Sequence, residues 1–145
     1  VFVWCKSSNP DGYQFQGIYD SQQTRRTLFE KMAKMASDWN SNKNIGLVVG
    51  ATFPKELAAV RDLAPGIPIL VPGIGSQEGD LSNSLKAGAE QEFPNIFINS
   101  SRSIIYASTD TDNYLDAAGR AAYKLKSDIN KILIQHIDFN SGMKT

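Results

Sequence analysis

Four short apolar runs, each followed by a loop and then by residues of helical periodicity, constrain this chain more than any other feature. They are Val1 to Lys6, Ile45 to Val49, Ile67 to Val71 and Asn95 to Asn99. Each is too short for an independent helix and lacks the apolar/polar alternation of a half-exposed strand, so each reads as a buried strand. Asp20 or Ser21 can cap a helix from about Gln22 to Trp39, in which Leu28, Met32, Met35, Ala36 and Trp39 keep helical spacing. Pro54 suits the first turn of a second helix that reaches about Leu63, where Pro65-Gly66 stops it. Asp80 can cap a third from Leu81 to Gly88, and Ser100 to Ala107 opens a short helical turn. A last helix is expected from about Asp112 to Gln135, with Leu115, Ala118, Ala122, Leu125, Ile129 and Ile132 on its apolar face.

This order of β-loop-α, repeated four times, implies an α/β fold of parallel strands covered by helices. A complete (β/α)8 barrel takes about 250 residues, so 145 residues suit half of one. The same order also fits a small open doubly wound sheet. Because the chain opens inside its first strand, with Val1-Phe2-Val3-Trp4-Cys5, it is expected to be a cleaved, partial or divided one.

Composition removes several classes of chemistry. Fifteen basic residues balance fifteen acidic ones, unlike the positive field of a general nucleic-acid binder. A single cysteine, Cys5, cannot form an internal disulfide, and a reducing, cytoplasmic compartment is expected. With one histidine as its only companion, it cannot complete a four-ligand structural zinc site. A Ser-His-Asp triad would have to use His136, close to the C-terminal end. No apolar run approaches the roughly 20 residues that span a bilayer. Cys5 is expected in the core, Trp4 and Trp39 in the core or an interface, and Lys6, at a strand end where a site residue could stand, in solvent.

Polar residues follow each strand: Ser8 and Asn9 the first, Thr52 the second, Gln77 the third and Arg102 the fourth. In parallel α/β folds these loops meet at the end of the sheet where ligands bind. Residues Pro72 to Gly79 hold three glycines in eight residues. Such a loop lets backbone N–H groups approach an anion, although the same glycines can simply shape a long turn. It is neither a Walker A loop nor GxGxxG. Arg102 opens a helical turn, where a guanidinium can grip phosphate bidentately or pair with a surface carboxylate. Ser8 can hydrogen-bond a polar ring edge or serve the turn alone.

Four strings occur together in order: Ser7-Ser8-Asn9-Pro10, Val48-Val49-Gly50-Ala51-Thr52, Leu70-Val71-Pro72-Gly73-Ile74-Gly75-Ser76-Gln77-Glu78-Gly79-Asp80 and Asn99-Ser100-Ser101-Arg102-Ser103-Ile104. Across residues 1 to 135 they resemble the last four strands of orotidine 5′-phosphate decarboxylase. The resemblance implies the C-terminal half of a TIM (β/α)8 barrel, with residues 136 to 145 a tail or linker. It implies conversion of orotidine 5′-monophosphate to UMP and carbon dioxide in pyrimidine synthesis, without metal or organic cofactor. By motif matching, Ser8 would contact the pyrimidine, Pro72 would line the base pocket, and Gln77 would reach the ligand from its loop. Ser101 and Arg102 would hold the 5′-phosphate, and Gly73, Gly75 and Gly79 would shape the loop. Relatives carry an Asp-x-Lys-x-x-Asp cluster on an earlier strand, and this sequence contains no such string. Glu78 stands where many relatives have glycine, as Ser101 does in some. The expected partners are the complementary N-terminal half-barrel and, for whole barrels, a second copy. The alternative reading is a non-catalytic nucleotide-binding half-barrel.

Overall fold

The computed structural model describes residues 1–19, 25–75, 79–90 and 93–142, with side chains described through residue 136. Its elements follow as β1 (Phe2–Lys6), α1 (Gly12–Gln16), α2 (Leu28–Trp39), β2 (Gly46–Val49), α3 (Pro54–Leu63), β3 (Ile69–Pro72), α4 (Leu81–Gly88), β4 (Ile96–Asn99), α5 (Ser101–Ile105) and α6 (Tyr114–Gly142). The strands form one sheet in the order β1-β2-β3-β4, and every neighbouring pair is parallel. A doubly wound sheet reverses its strand order at a switch point. Here no reversal occurs, which removes that alternative and leaves the winding of a barrel.

Winding in one direction has a packing consequence. Right-handed crossovers that always step the same way place their helices on the same face. That face carries Cys5, Leu47, Val49, Ile69 and Val71, which are buried against Phe29, Ala33, Ala36, Leu57 and Val60 from α2 and α3. The alternate strand positions point the other way and meet no helix. There Phe2, Trp4 and Phe97 are 49%, 66% and 55% exposed, although their composition is that of a core. Strands β1 and β4 are opposite edges, separated in a flat sheet by about three spacings of ~4.8 Å. Even so, the Phe2 and Phe97 rings meet edge to face at 6.3 Å. The sheet is therefore curled, with these rings on its concave side, as an arc of a barrel wall must be.

Arg61 fastens the ends of this wall farthest from the strand-following loops. From α3 its guanidinium donates to the carbonyls of Gly88 at 2.8 Å, Ile67 at 2.7 Å, Asn95 at 3.0 Å and Ala64 at 3.3 Å. The Glu90 carboxylate stands 3.6 Å away. One planar fork thus joins the ends of α3 and α4 to the starts of β3 and β4, a geometry that the single ammonium of lysine cannot reproduce.

Several boundaries differ from the sequence expectation. Helix α2 begins at Leu28 rather than near Gln22, because Thr27 and Glu30 form a reciprocal capping box. The expected caps Asp20 and Ser21 lie outside the described residues. The loop after β1 contains the short helix α1, and α6 continues past Gln135 to Gly142. Trp39 is 53% exposed, and neither it nor Trp4 belongs to the core. On α6, Leu125 packs against the core, whereas Leu115 is exposed despite its place on the apolar stripe. The Asp80 cap of α4 is as expected, its carboxylate accepting from the Asn83 N–H at 3.0 Å. Among the described residues no helix is long and apolar enough to cross a membrane.

Two predictions arise from this packing. Arg61→Ala removes the side-chain donor from four carbonyls, of which Ala64 and Asn95 keep a backbone N–H, and should lower stability by about 3 kcal/mol in urea unfolding. Arg61→Lys should recover less than half of that loss. The uncovered concave face should also drive association of the isolated chain. Sedimentation velocity at micromolar concentration should show dimers or larger species, and a stable monomer would contradict it.

Candidate functional site

At the C-terminal end of the strands the chain builds a cavity of about 400 Å³. Trp4 and the run Lys6 to Asn9 form one side, while Val48 and Pro72 reach it from β2 and β3. Ser8 and Pro72, separated by most of the described sheet in sequence, therefore share one concave space. A mostly apolar wall with a few polar groups suits a flat organic ring.

The position of Ser8 is fixed from several directions. The Ser7 hydroxyl accepts from the Asn9 N–H at 3.1 Å, and the Ser7 N–H donates to the Gln16 side chain at 2.8 Å. From the loop after β2, the Thr52 hydroxyl donates to the Ser8 carbonyl at 2.8 Å. Gly50 lies against the same residue so closely that an added Cβ would stand 2.4 Å from the Ser8 backbone. Only glycine allows these two loops to meet at this distance.

The glycine-rich loop and the segment after β4 also meet. The Ser100 hydroxyl donates to the Ile74 carbonyl at 2.8 Å. Gly73 and Gly75 have φ of 101° and 87°, in the region that L side chains rarely adopt. A Cβ on Gly75 would also lie 2.4 Å from the Ser103 hydroxyl. Gly79 closes the loop by a parallel bridge to Ile74 and abuts Ala51. Ser101 and Arg102 occupy the first turn of α5, exposed to solvent, with the Ser101 hydroxyl 3.3 Å from the Asn99 side chain. Asn99 pairs with Pro72 across the sheet, which connects this corner to the cavity. Ser101 and Arg102 do not themselves line that cavity. Gln77, with Ser76 and Glu78, lies outside the described residues.

Lys6 corrects the sequence expectation most sharply. Expected in solvent, it is fully buried, with its ammonium 4.0 Å from the Phe53 ring centroid and 5.7 Å from that of Tyr13. It donates to the Ser7 carbonyl at 3.4 Å. Burial lowers its pKa, opposed by the nearby Glu56 carboxylate and Cys5. A register shift between Trp4 and Lys6 turns this residue inward, and no feature of the sequence announces such a shift. Cys5 is a core residue, as expected. Its thiol donates to the Phe29 carbonyl at 3.1 Å, and burial pushes its pKa up from 9.0 to about 12. Thr52 lies on a strand-following loop, as the sequence places it, and bears on the site through Ser8, whereas Trp4 lines the cavity instead of joining the core. Trp4 was accessible to sequence reasoning, since alternate positions of a barrel strand face inward.

No family model matches the chain. Pairwise comparison does. Over 136 residues it is 47% identical to the orotidine 5′-phosphate decarboxylase of Bordetella pertussis, covering 91% of this chain and 48% of that protein. The chain is homologous to one half of the orotidine 5′-phosphate decarboxylases. Among solved structures, the OMP decarboxylase of Leishmania donovani superposes with a TM-score of 0.73 at 38% identity, over 92% of this chain and 47% of that one. The UMP synthase of the same organism gives 0.73 at 39%, over 91% of this chain and 27% of that one. The chain spans about half the length of the curated relatives it matches. Relationship to the decarboxylases also accounts for the arc: four parallel strands with helices on one face are about half of the barrel found in these neighbours.

A prediction on Cys5 concerns its protonation. A thiol held near 12 in the fold but ordinary in the unfolded chain stays neutral at pH 8 when folded. Its stabilising contribution is present below pH 9.0 and is lost as pH rises toward 12, because the unfolded state ionises first. A disulfide-exchange reagent at pH 8 should label Cys5 in urea at least about a hundredfold faster than in buffer.

Proposed function

We propose that this chain is the C-terminal half of an orotidine 5′-phosphate decarboxylase and supplies the pyrimidine and phosphate contacts of its active site. Residues 1 to 135 would form the half-barrel and residues 136 to 145 its tail. The substrate would be orotidine 5′-monophosphate, and the products UMP and carbon dioxide. The observation that carries the reading is the shared cavity of Ser8 and Pro72 at the C-terminal end of the strands, beside the corner where the Gly73–Gly75 turn rests on Ser100 and Ser103. Homology to decarboxylases supports the same placement.

In this scheme Ser8 meets the polar edge of the pyrimidine, and Pro72 bounds the base. Gln77 reaches the ligand from the glycine-rich loop. Arg102, free of any carboxylate within bonding distance among the described residues, grips the 5′-phosphate with the Ser101 backbone N–H. The phosphate lies far from the carbon that loses carbon dioxide, so its binding energy can drive loop closure and exclude water from the reacting ring. Bond breaking develops negative charge on the ring carbon, and that charge needs a preorganised cation. The Asp-x-Lys-x-x-Asp cluster that the resemblance implies would supply it from the complementary half. This chain alone would bind weakly and turn over nothing. Whole barrels would pair as homodimers in the cytoplasm, and the chain would need no metal or organic cofactor.

Calorimetric titration with UMP tests the reading, using the chain assembled with the complementary N-terminal half-barrel of the Bordetella pertussis relative. Binding is expected, and Arg102→Ala should weaken it about a hundredfold, as loss of a bidentate charge-assisted contact to phosphate does. Because Arg102 is exposed, unfolding midpoints should stay unchanged. Equal affinity of the variant and the parent protein would refute the assignment.

A further inference from the structure

Lys6 is the one fully buried ammonium among the described residues, and the proposed function leaves it without a role. An ammonium withdrawn from water costs several kcal/mol unless its surroundings replace its hydration. Its surroundings here come from three segments: the residue after β1, helix α1 and the loop after β2. Phe53, which precedes the first turn of α3 in the loop after β2, offers its ring at 4.0 Å. Tyr13 on α1 offers a second ring at 5.7 Å, and the Ser7 carbonyl accepts at 3.4 Å. Glu56, in the first turn of α3, supplies the balancing charge at longer range. All three segments border Ser8. Ser7 precedes it, Tyr13 follows it on α1, and the residue before Phe53 is Thr52, whose hydroxyl holds the Ser8 carbonyl.

We infer that Lys6 is a positioning residue for ring recognition: by cation–π contact with Phe53 and a hydrogen bond to Ser7 it locks the loop after β1 to the loop after β2 and so sets the place of Ser8 in the cavity. The inference rests on the proposed function for the identity of the ring. The lock itself is a property of the free protein. Thr52, the residue before Phe53, holds the Ser8 carbonyl of the same loop, so a hydroxyl contact and a buried cation act on it together. Lysine suits the place because a flexible stem can lay a compact charge over a ring face inside a closed space. Removing the charge frees the loop, and Ser8 then samples positions from which it does not reach the ring.

The test has two arms on the assembled barrel described above. Without ligand, amide hydrogen exchange is compared in the parent protein, Lys6→Met and Phe53→Leu. Both variants should speed exchange at Ser8, Asn9 and Phe53 about tenfold or more and leave β3 and β4 unchanged. Unchanged exchange at these amides overturns the inference, whatever the ligand does. With ligand, affinities for UMP and for ribose 5-phosphate are measured. Either variant should weaken UMP about tenfold and leave ribose 5-phosphate unchanged, since only the former carries the ring that Ser8 meets. Adding Ser8→Ala to either variant should cost little more than Ser8→Ala alone, because the changes act through one contact. A general loss of structure would instead weaken both ligands and add to the serine effect, and would overturn the positioning role. Should Lys6→Met not fold, Phe53→Leu keeps the charge and decides alone. If the parent protein fails to prefer UMP over ribose 5-phosphate, the proposed function falls, while the exchange arm still decides the lock.

Discussion

Every structural feature of this chain depends on one constraint, that its parallel strands are wound in a single direction. Parallel sheets are ordinarily covered on both faces. Stepping from β1 to β4 without reversal puts the crossover helices on the convex side and leaves the concave side without one. Apolar residues on both faces are therefore required, and the concave set of Phe2, Trp4 and Phe97 is about half exposed or more because the helices cannot reach it. The same constraint gathers the loops after the strands along one rim, which is why residues as distant as Ser8 and Pro72 share a cavity.

The two rims are held by different chemistry. At the starts of β3 and β4, Arg61 satisfies four carbonyls at once, a dense arrangement that fixes backbone and leaves little room for a ligand. At the opposite rim the contacts are sparser and run between loops: Thr52 to Ser8, Ser100 to Ile74, and Lys6 over Phe53. Buried cations serve both rims with different geometries. A guanidinium can fill several acceptors in a plane, whereas an ammonium over a ring joins two loops without occupying the polar groups a ligand needs. This division matches the general separation in (β/α)8 barrels between a stabilising end and a functional end.

Part of the loop architecture is legible in the sequence. Short turn-forming strings after each strand mark the rim where the loops gather, and the glycine-rich segment marks a corner where Gly73 and Gly75 adopt positive φ. The local signals that succeeded were those with a local cause, such as the Asp80 cap and Pro54 in the first turn of α3. Lys6 was misread because its burial comes from a register shift and from Phe53, which lies far along the chain. Arg61 went unnoticed, since its acceptors are backbone carbonyls from four separate positions, which have no sequence signature. The start of α2 was placed too early because helical spacing continues through residues that the Thr27–Glu30 capping box excludes.

By itself the sequence determined the four strand-loop-helix units, the apolar character of both sheet faces and the kinship with decarboxylase half-barrels, since these reside in local pattern and in strings of adjacent residues. It left the choice between a barrel arc and a doubly wound sheet open, because strand order is a property of pairing between distant segments. Only the tertiary structure decided that order, brought Phe2 to Phe97 across the curled sheet, and buried Lys6 beneath the loop that carries Ser8. Each of these is a long-range contact, selected by the free energy of the whole packed chain rather than by any window of residues.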